Sequence, residues 1–106
     1  RVSIYDFCSI IYNLMKNAIE ACEKIENVND RMIEMKLAEY NNKILLVIRN
    51  RVYENVSIEN NSLRSTKRDK KNHGLGSGNV EQAVKKYNGS IEYHFEKGYF
   101  TVEMYI

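Results

Sequence analysis

The chain has 106 residues, the length of one domain and too short for two independent cores. Hydrophobic residues are 43% and charged residues 28%, which excludes a disordered, collagenous or fibrous chain. Sixteen Lys+Arg against fourteen Asp+Glu give +2, too balanced to point to nucleic acid, and the longest apolar run, Ile44-Leu45-Leu46-Val47-Ile48, is far short of a membrane span.

No basic-then-apolar start with a small-residue cleavage site is present, so no signal peptide is expected. The chain opens at Arg1 rather than Met, which reads as a fragment of something longer. Residues 6–26 are the predicted dominant helix, with Asp6 as N-cap. Phe7, Ile11, Leu14, Ala18, Ala21 and Ile25 recur at spacings of three and four, the mark of one buried face. Ile10, Met15, Ile19 and Cys22 widen that stripe, so the helix should be covered over much of its circumference. Cys8 and Cys22 would then lie about 21 Å apart along the axis, too far to pair with each other. Free, buried thiols suit a reducing cytoplasm, and two Cys with two scattered His give no readable zinc site.

Two strands should follow. Residues 32–39 alternate, with Ile33, Met35, Leu37 and Glu39 on one side. Residues 43–50 form a nearly continuous apolar run, as in a strand buried on both faces, and Asn41-Asn42 reads as the hairpin turn between them. Residues 53–73 are polar with weak periodicity and read as a long loop, a feature that is usually functional inside a compact domain. A Gly-rich stretch over 73–79 leads into a helix over 80–87, ended by Asn88-Gly89. Residues 90–95 and 99–105 read as an antiparallel pair turned by Glu96-Lys97-Gly98. Helix, two strands, loop, helix and two strands suggest a single two-layer α/β sandwich, an α+β arrangement with one sheet face covered by helices.

Three features carry chemistry. Asn13, Asn17 and Glu20 share one helix face at the edge of the apolar stripe, where a polar group can face a ligand while its helix stays packed. Carboxamide oxygens suit a Mg²⁺ that keeps most of its waters and phosphates, although two helical asparagines alone read rather as surface residues or as bonds to a neighbouring loop. Gly74-Leu75-Gly76-Ser77-Gly78-Asn79 runs directly into a helix, so backbone N–H groups and the helix dipole could meet phosphate oxygens. It is neither a Walker A loop, since no Gly-Lys-Ser/Thr follows, nor a Rossmann turn, since no strand precedes it. Residues 64–71 hold five basic and one acidic residue, +4 against −2 for the rest of the chain. Lys67, Lys70 and Lys71 could neutralise a polyphosphate; alone, such an octet reads as a solvated loop.

Together, residues 10–21, Ile-Ile-Tyr-Asn-Leu-Met-Lys-Asn-Ala-Ile-Glu-Ala, resemble the asparagine box of the gyrase–chaperone–histidine kinase–mismatch repair ATPase superfamily. Residues 65–80, Ser-Thr-Lys-Arg-Asp-Lys-Lys-Asn-His-Gly-Leu-Gly-Ser-Gly-Asn-Val, resemble its ATP lid and second glycine box. Asn-Ala-Ile-Glu-Ala and Ser-Thr-Lys…His-Gly-Leu-Gly are similar to the wording of one subgroup, the peptide-sensing bacterial kinases related to the staphylococcal accessory regulator sensor. The resemblance covers essentially the whole chain, 1–106.

That resemblance implies a Bergerat-type ATP-binding sandwich with a mixed, mostly antiparallel sheet and a mobile lid, and ATP and Mg²⁺ as cofactors. It makes Asn17 the Mg²⁺ ligand and sets Asn13 where ATP-hydrolysing relatives carry a glutamate. The family's Asp-x-Gly-x-Gly adenine box is absent; Arg49-Asn50-Arg51 stands there, with Asn50 as the replacement. A carboxamide can still accept from the adenine amino group. Thr66 and Lys67 would lie in the lid, Lys67 near the phosphates, and His73, Gly74, Leu75 and Gly76 would meet phosphates by backbone. Thr101 matches a strand threonine that supports the base. Neither His73 nor His94 resembles a phospho-acceptor box, so the acceptor histidine is expected on separate upstream dimerisation helices, with a response regulator as the next partner. The chain would be the cytoplasmic domain of a bacterial membrane protein, touching the membrane only through a sensor region it lacks, and inactive for autophosphorylation alone.

Phosphoryl transfer needs alignment and charge neutralisation more than covalent help. A neutral imidazole is already a nucleophile, so Asn rather than Glu at position 13 fits transfer to histidine and disfavours rapid hydrolysis. A same-fold ATPase or an anti-sigma serine kinase is expected to be acidic there. A degenerate, non-catalytic ATP-binding domain is the other reading within this fold. A nucleic-acid module would want aromatics interleaved with its basic residues, and residues 60–73 contain none.

Overall fold

The structure, a computed structural model, describes residues 2–52, 57–59, 62–64 and 79–106. Helix α1 spans Ile4–Glu23. Its N-cap is Ser3, whose Oγ accepts the Asp6 backbone N–H at 3.1 Å. Asp6 is therefore not the cap but the acid of the first turn, where the helix dipole favours it. The far end is closed by Arg31, whose Nε donates to the Ile25 carbonyl at 2.9 Å and Nη2 to the Glu23 carbonyl at 3.4 Å. A side chain from beyond the helix thus satisfies carbonyls that have no intrahelical partner.

The sheet holds β1 (Ile33–Tyr40), β2 (Lys43–Arg51), β5 (Ser90–Glu96) and β6 (Tyr99–Tyr105) in the order β1-β2-β6-β5. Every strand pair among the described residues is antiparallel, so no mixed sheet is seen there. Both hairpins turn on two residues, Asn41-Asn42 and Lys97-Gly98, with φ of 53°, 64°, 53° and 83° in turn. Left-handed φ at both central positions is the type I′ turn that matches the twist of paired strands. The stretch expected as structureless contains a small hairpin instead: β3 (Ser57–Glu59) pairs with β4 (Ser62–Arg64), Ile58 opposite Leu63.

Residues 79–86 form the second described helix, α2. The expected Asn88-Gly89 stop is there, but the left-handed residue is Asn88, at φ 58°, and Gly89 N–H reaches back to the Val84 carbonyl at 2.9 Å. Gly89 is needed for space, since a Cβ there would meet the Tyr105 carbonyl oxygen at 2.4 Å.

Helices cover one sheet face, giving the expected two-layer sandwich. Ile10, Leu14 and Ala18 of α1, Val80 and Val84 of α2, and Leu46, Ile48, Tyr93, Phe100, Val102 and Met104 of the sheet form one core. β2 buries Leu46, Ile48 and Asn50 on that face, while its other face is half-buried rather than sealed. α1 is also less covered than its wide apolar stripe suggested: Ile4, Tyr5, Tyr12 and Ile19 are exposed. Cys22 is buried, and Cys8, expected to be buried too, is exposed; both are free thiols.

Candidate functional site

The described part of the candidate site lies where α1 crosses the end of β2. Cys22 sits on the buried stripe of α1 and its Sγ lies 3.5 Å from the Met32 carbonyl oxygen and 3.9 Å from that of Arg51. The last turns of α1 are thereby held above the strand end that carries Asn50. Asn50 follows Leu46 and Ile48 at the period of two that sends alternate residues to one face, so a polar residue stands in line with the core. It is 2% exposed and is the one buried polar residue of the described chain. Its Nδ2 donates to the Arg51 carbonyl at 2.8 Å, which fixes the amide and leaves Oδ1 as its acceptor.

Asn13 and Asn17 are half-buried, one turn apart on the flank of α1 that also carries Asp6 and Glu20. The Asn17 Nδ2 is buried and has no hydrogen-bond partner among the described residues. A buried unpaired amide costs about 1–3 kcal/mol, so its retention calls for an occupant that satisfies it. Because amide oxygen and nitrogen can exchange places by rotation, the same position can offer an acceptor. A hydrated cation with its phosphates is an occupant of the right chemistry, and the residue fits that group.

The Asn flank of α1 is anchored at its start to the end of α2. Lys86 Nζ donates to Asp6 Oδ2 at 3.2 Å, the Tyr87 hydroxyl donates to the same carboxylate, and the Tyr87 oxygen accepts the Ser3 N–H at 3.3 Å. The Tyr87 hydroxyl and Lys86 hold the Asp6 carboxyl below its ordinary range, and Asp6 in turn raises Lys86. This tie joins the two helices at one end of the site. Only the lone Asp6 at the helix start hinted at it in the sequence; a contact across 80 residues leaves no local pattern.

Thr101 is not brought to this site. It pairs with Arg49 on β2 and His94 on β5, whereas Asn50 pairs with Phe100. Facing residues of an antiparallel pair share a sheet face, so Thr101 lies on the face away from the helices and Asn50 on the face beneath them. The residue beside Asn50 is Phe100, buried and stacked on Tyr93 at 6.1 Å between ring centroids. A one-residue step reverses the face, and the Phe-Thr-Val wording does not reveal which residue points inward.

On the other face, Arg49 pairs with Glu34 at 3.1 Å and stacks over Tyr99 at 4.0 Å, with Arg51 at 5.2 Å from the same ring. His94 lies there with Glu92 and Glu103, all exposed. Thr66, Lys67, His73, Gly74, Leu75 and Gly76 lie outside the described residues.

A family model described as GHKL domain matches residues 2–106, nearly the entire chain. No curated protein matches.

Proposed function

Because the chain belongs to the GHKL domain family, we propose that it binds ATP with Mg²⁺ between the Asn13–Asn17 flank of α1 and the Asn50 end of β2. It then serves as the ATP-binding part of a sensor histidine kinase of the peptide-sensing, accessory-regulator type. The observation that carries the nucleotide reading is the buried Nδ2 of Asn17, without a partner among the described residues, on the helix flank that also presents Asn13. Asn17 is the Mg²⁺ ligand, and Asn50 Oδ1 accepts from the adenine amino group with Phe100 beside it. When bound, Mg²⁺ neutralises phosphate charge.

Two features favour a histidine acceptor over water. The carboxamide of Asn13 cannot take a proton from water as a carboxylate can, and an imidazole needs no such activation. Thr66, Lys67 and the His73–Gly76 stretch complete the phosphate side by the family resemblance. The acceptor histidine sits on separate dimerisation helices, and a response regulator receives the phosphoryl group in turn. The domain works on the cytoplasmic side of a membrane-bound sensor.

Calorimetric titration of ATP into the chain, with and without Mg²⁺, tests this. One-to-one binding that needs Mg²⁺, and that Asn17→Ala weakens at least tenfold, is expected. Equal affinity in Asn17→Ala would remove the metal assignment, and no binding at millimolar ATP would remove the nucleotide site. The same variant should lose no folding stability, since it deletes an amide with no partner.

A further inference from the structure

The sheet face away from the helices gathers a second set of ligands, apart from the nucleotide site. Glu92 and His94 stand two residues apart on β5, where Tyr93 between them is buried, so both side chains leave the face opposite the helices. Glu103 of β6 stands directly across from Glu92. One ligand atom from each of the three lies within 4.8 Å of the others, and His94 Nε2 sits 3.5 Å from Glu92 Oε1. The register of one hairpin makes this cluster. A residue, its second neighbour and its cross-strand partner form a triangle on one face of an antiparallel pair, within side-chain reach of one another. No local pattern in the sequence announces it, because Glu103 joins the other two only through strand pairing.

The charges here call for a cation. Glu92 and Glu103 are like charges directly opposed in the ladder, a placement that destabilises the pair unless it is neutralised. Among the described residues no lysine or arginine pairs with either. Arg49 faces Thr101 in the next row, but Glu34 holds it at 3.1 Å and it stacks on Tyr99 at 4.0 Å. The donor set then selects the ion. Mg²⁺ and Ca²⁺ take oxygen almost alone, whereas one imidazole nitrogen with two carboxylates suits a borderline ion such as Zn²⁺. Zn²⁺ holds such ligands at about 2.0–2.2 Å, so ligand atoms around it stand roughly 3.4 Å apart. From a widest separation of 4.8 Å, the three atoms close onto an ion by about 1.4 Å at most. Rotation of side chains that are 51% exposed at His94 and 61% at Glu92 supplies that movement.

We propose that Glu92, His94 and Glu103 form a Zn²⁺ site on the open face of the β5–β6 hairpin, with water in the fourth position. All three ligands belong to one hairpin, so the bound ion staples β5 to β6 and relieves the repulsion between Glu92 and Glu103. The site lies on the opposite side of the sheet from the Asn17 flank, and the two take different ions.

Titration of the chain with Zn²⁺ in competition with a chromogenic chelator tests the proposal. One Zn²⁺ per chain is expected, undisplaced by millimolar Mg²⁺. His94→Ala and Glu103→Gln should each weaken uptake at least about tenfold, the loss that even supporting residues cause at metal sites. Cys8→Ser should leave it unchanged. Zn²⁺ should also raise the melting temperature of the parent chain but not that of His94→Ala. Glu103→Lys should abolish uptake and raise the metal-free melting temperature, because opposite charges then face each other. The side chains exchanged are exposed, so far-ultraviolet circular dichroism should show every variant folded. His94→Ala should bind ATP with Mg²⁺ as the parent does, so the two sites stand or fall separately. No uptake at millimolar Zn²⁺ overturns the proposal. Uptake that survives His94→Ala, or is lost in Cys8→Ser, also overturns it and assigns the metal to other groups.

Discussion

The β1–β2 and β5–β6 hairpins share a two-residue turn with left-handed φ at both central positions, and both outer strands alternate apolar and polar residues. Yet β5 buries Tyr93, with Ile91 and Phe95 packed against the core, while β1 leaves Met35 and Leu37 about half exposed. The difference lies in what stands above them. α2 lies over β5, where the Tyr93 hydroxyl donates to Glu81 at 3.0 Å and its ring stacks on Phe100. α1 holds only the start of β1, through Cys22 and Arg31. Alternation says which side chains share a face; whether that face is dry depends on a second element that the strand's own sequence does not name.

The sharpest test sets one strand against the other. Tyr93→Ala should cost about 3–4 kcal/mol, as for other buried aromatics, with the Glu81 bond lost besides. Leu37→Ala should cost under about 1 kcal/mol, since half its surface already meets water. Urea unfolding measures both. Equal costs would mean that the β1 face is as well covered as that of β5 and that the contrast between the hairpins is false.

Two glycines of the second half extend the comparison at smaller cost. Gly89→Ala drives a methyl group onto the Tyr105 carbonyl and should cost about 2 kcal/mol, because backbone rather than a mobile side chain must move. Gly98→Ala meets nothing within 4 Å, and only its φ of +83° resists, so about 1 kcal/mol is expected. A reversed order in thermal or urea melts would show that turn strain outweighs packing at the α2–β5 junction.

The order of the two helices and the four sheet strands, the alternation of the strands and both turns were legible because each rests on local signals: apolar period, paired Asn or Gly, a polar break; the buried stripe of α1 runs instead through Ile10, Leu14, Ala18 and Cys22. Helix α1 was placed within three residues of its observed ends, and the cap was missed because Ser3 and Asp6 offer the same chemistry three residues apart. The β3–β4 hairpin was hidden by strands of only three residues each, too short to set a period. For the candidate site, Asn17 was readable as a polar residue at the edge of an apolar stripe and Asn50 only through the family resemblance; Asn50 is buried, and Asn17 is half-buried with its Nδ2 buried. Thr101 failed because a motif alignment carries no parity, while a strand face depends on nothing else. The residues from Thr66 to Gly76, expected from the resemblance to form a lid, lie outside the described residues, so the phosphate half of the candidate site rests on family resemblance.

The turns themselves allow a stabilising exchange. Asn41 and Asn42 suit left-handed backbone, whereas Lys97 holds φ 53° without a side chain that favours it. Lys97→Asn should stabilise the chain by roughly 0.5 kcal/mol, read as a raised urea midpoint with unchanged slope. No gain would mean that the second turn is already relaxed despite its lysine.

The smallest effect concerns how α1 is tied to the better-covered half. Asp6 is held below its ordinary carboxyl range by the Tyr87 hydroxyl and by Lys86. A carboxyl depressed on folding adds stability above its unfolded pKa, near 3.8, and loses it as pH falls through the lower folded value. Lys86 is raised, mainly by Asp6, so its share persists below about 10.5 and fades only at higher pH. Asp6→Asn should therefore melt earlier than the parent chain at pH 7, by a modest margin because the pair meets solvent, and the gap should close below pH ~4. An unchanged gap at pH 7 and pH 3 would mean that Asp6 acts through its neutral hydrogen bonds alone. No gap at either pH would mean that the Cys22 and Arg31 contacts at the other end of α1 hold the helix without help from α2.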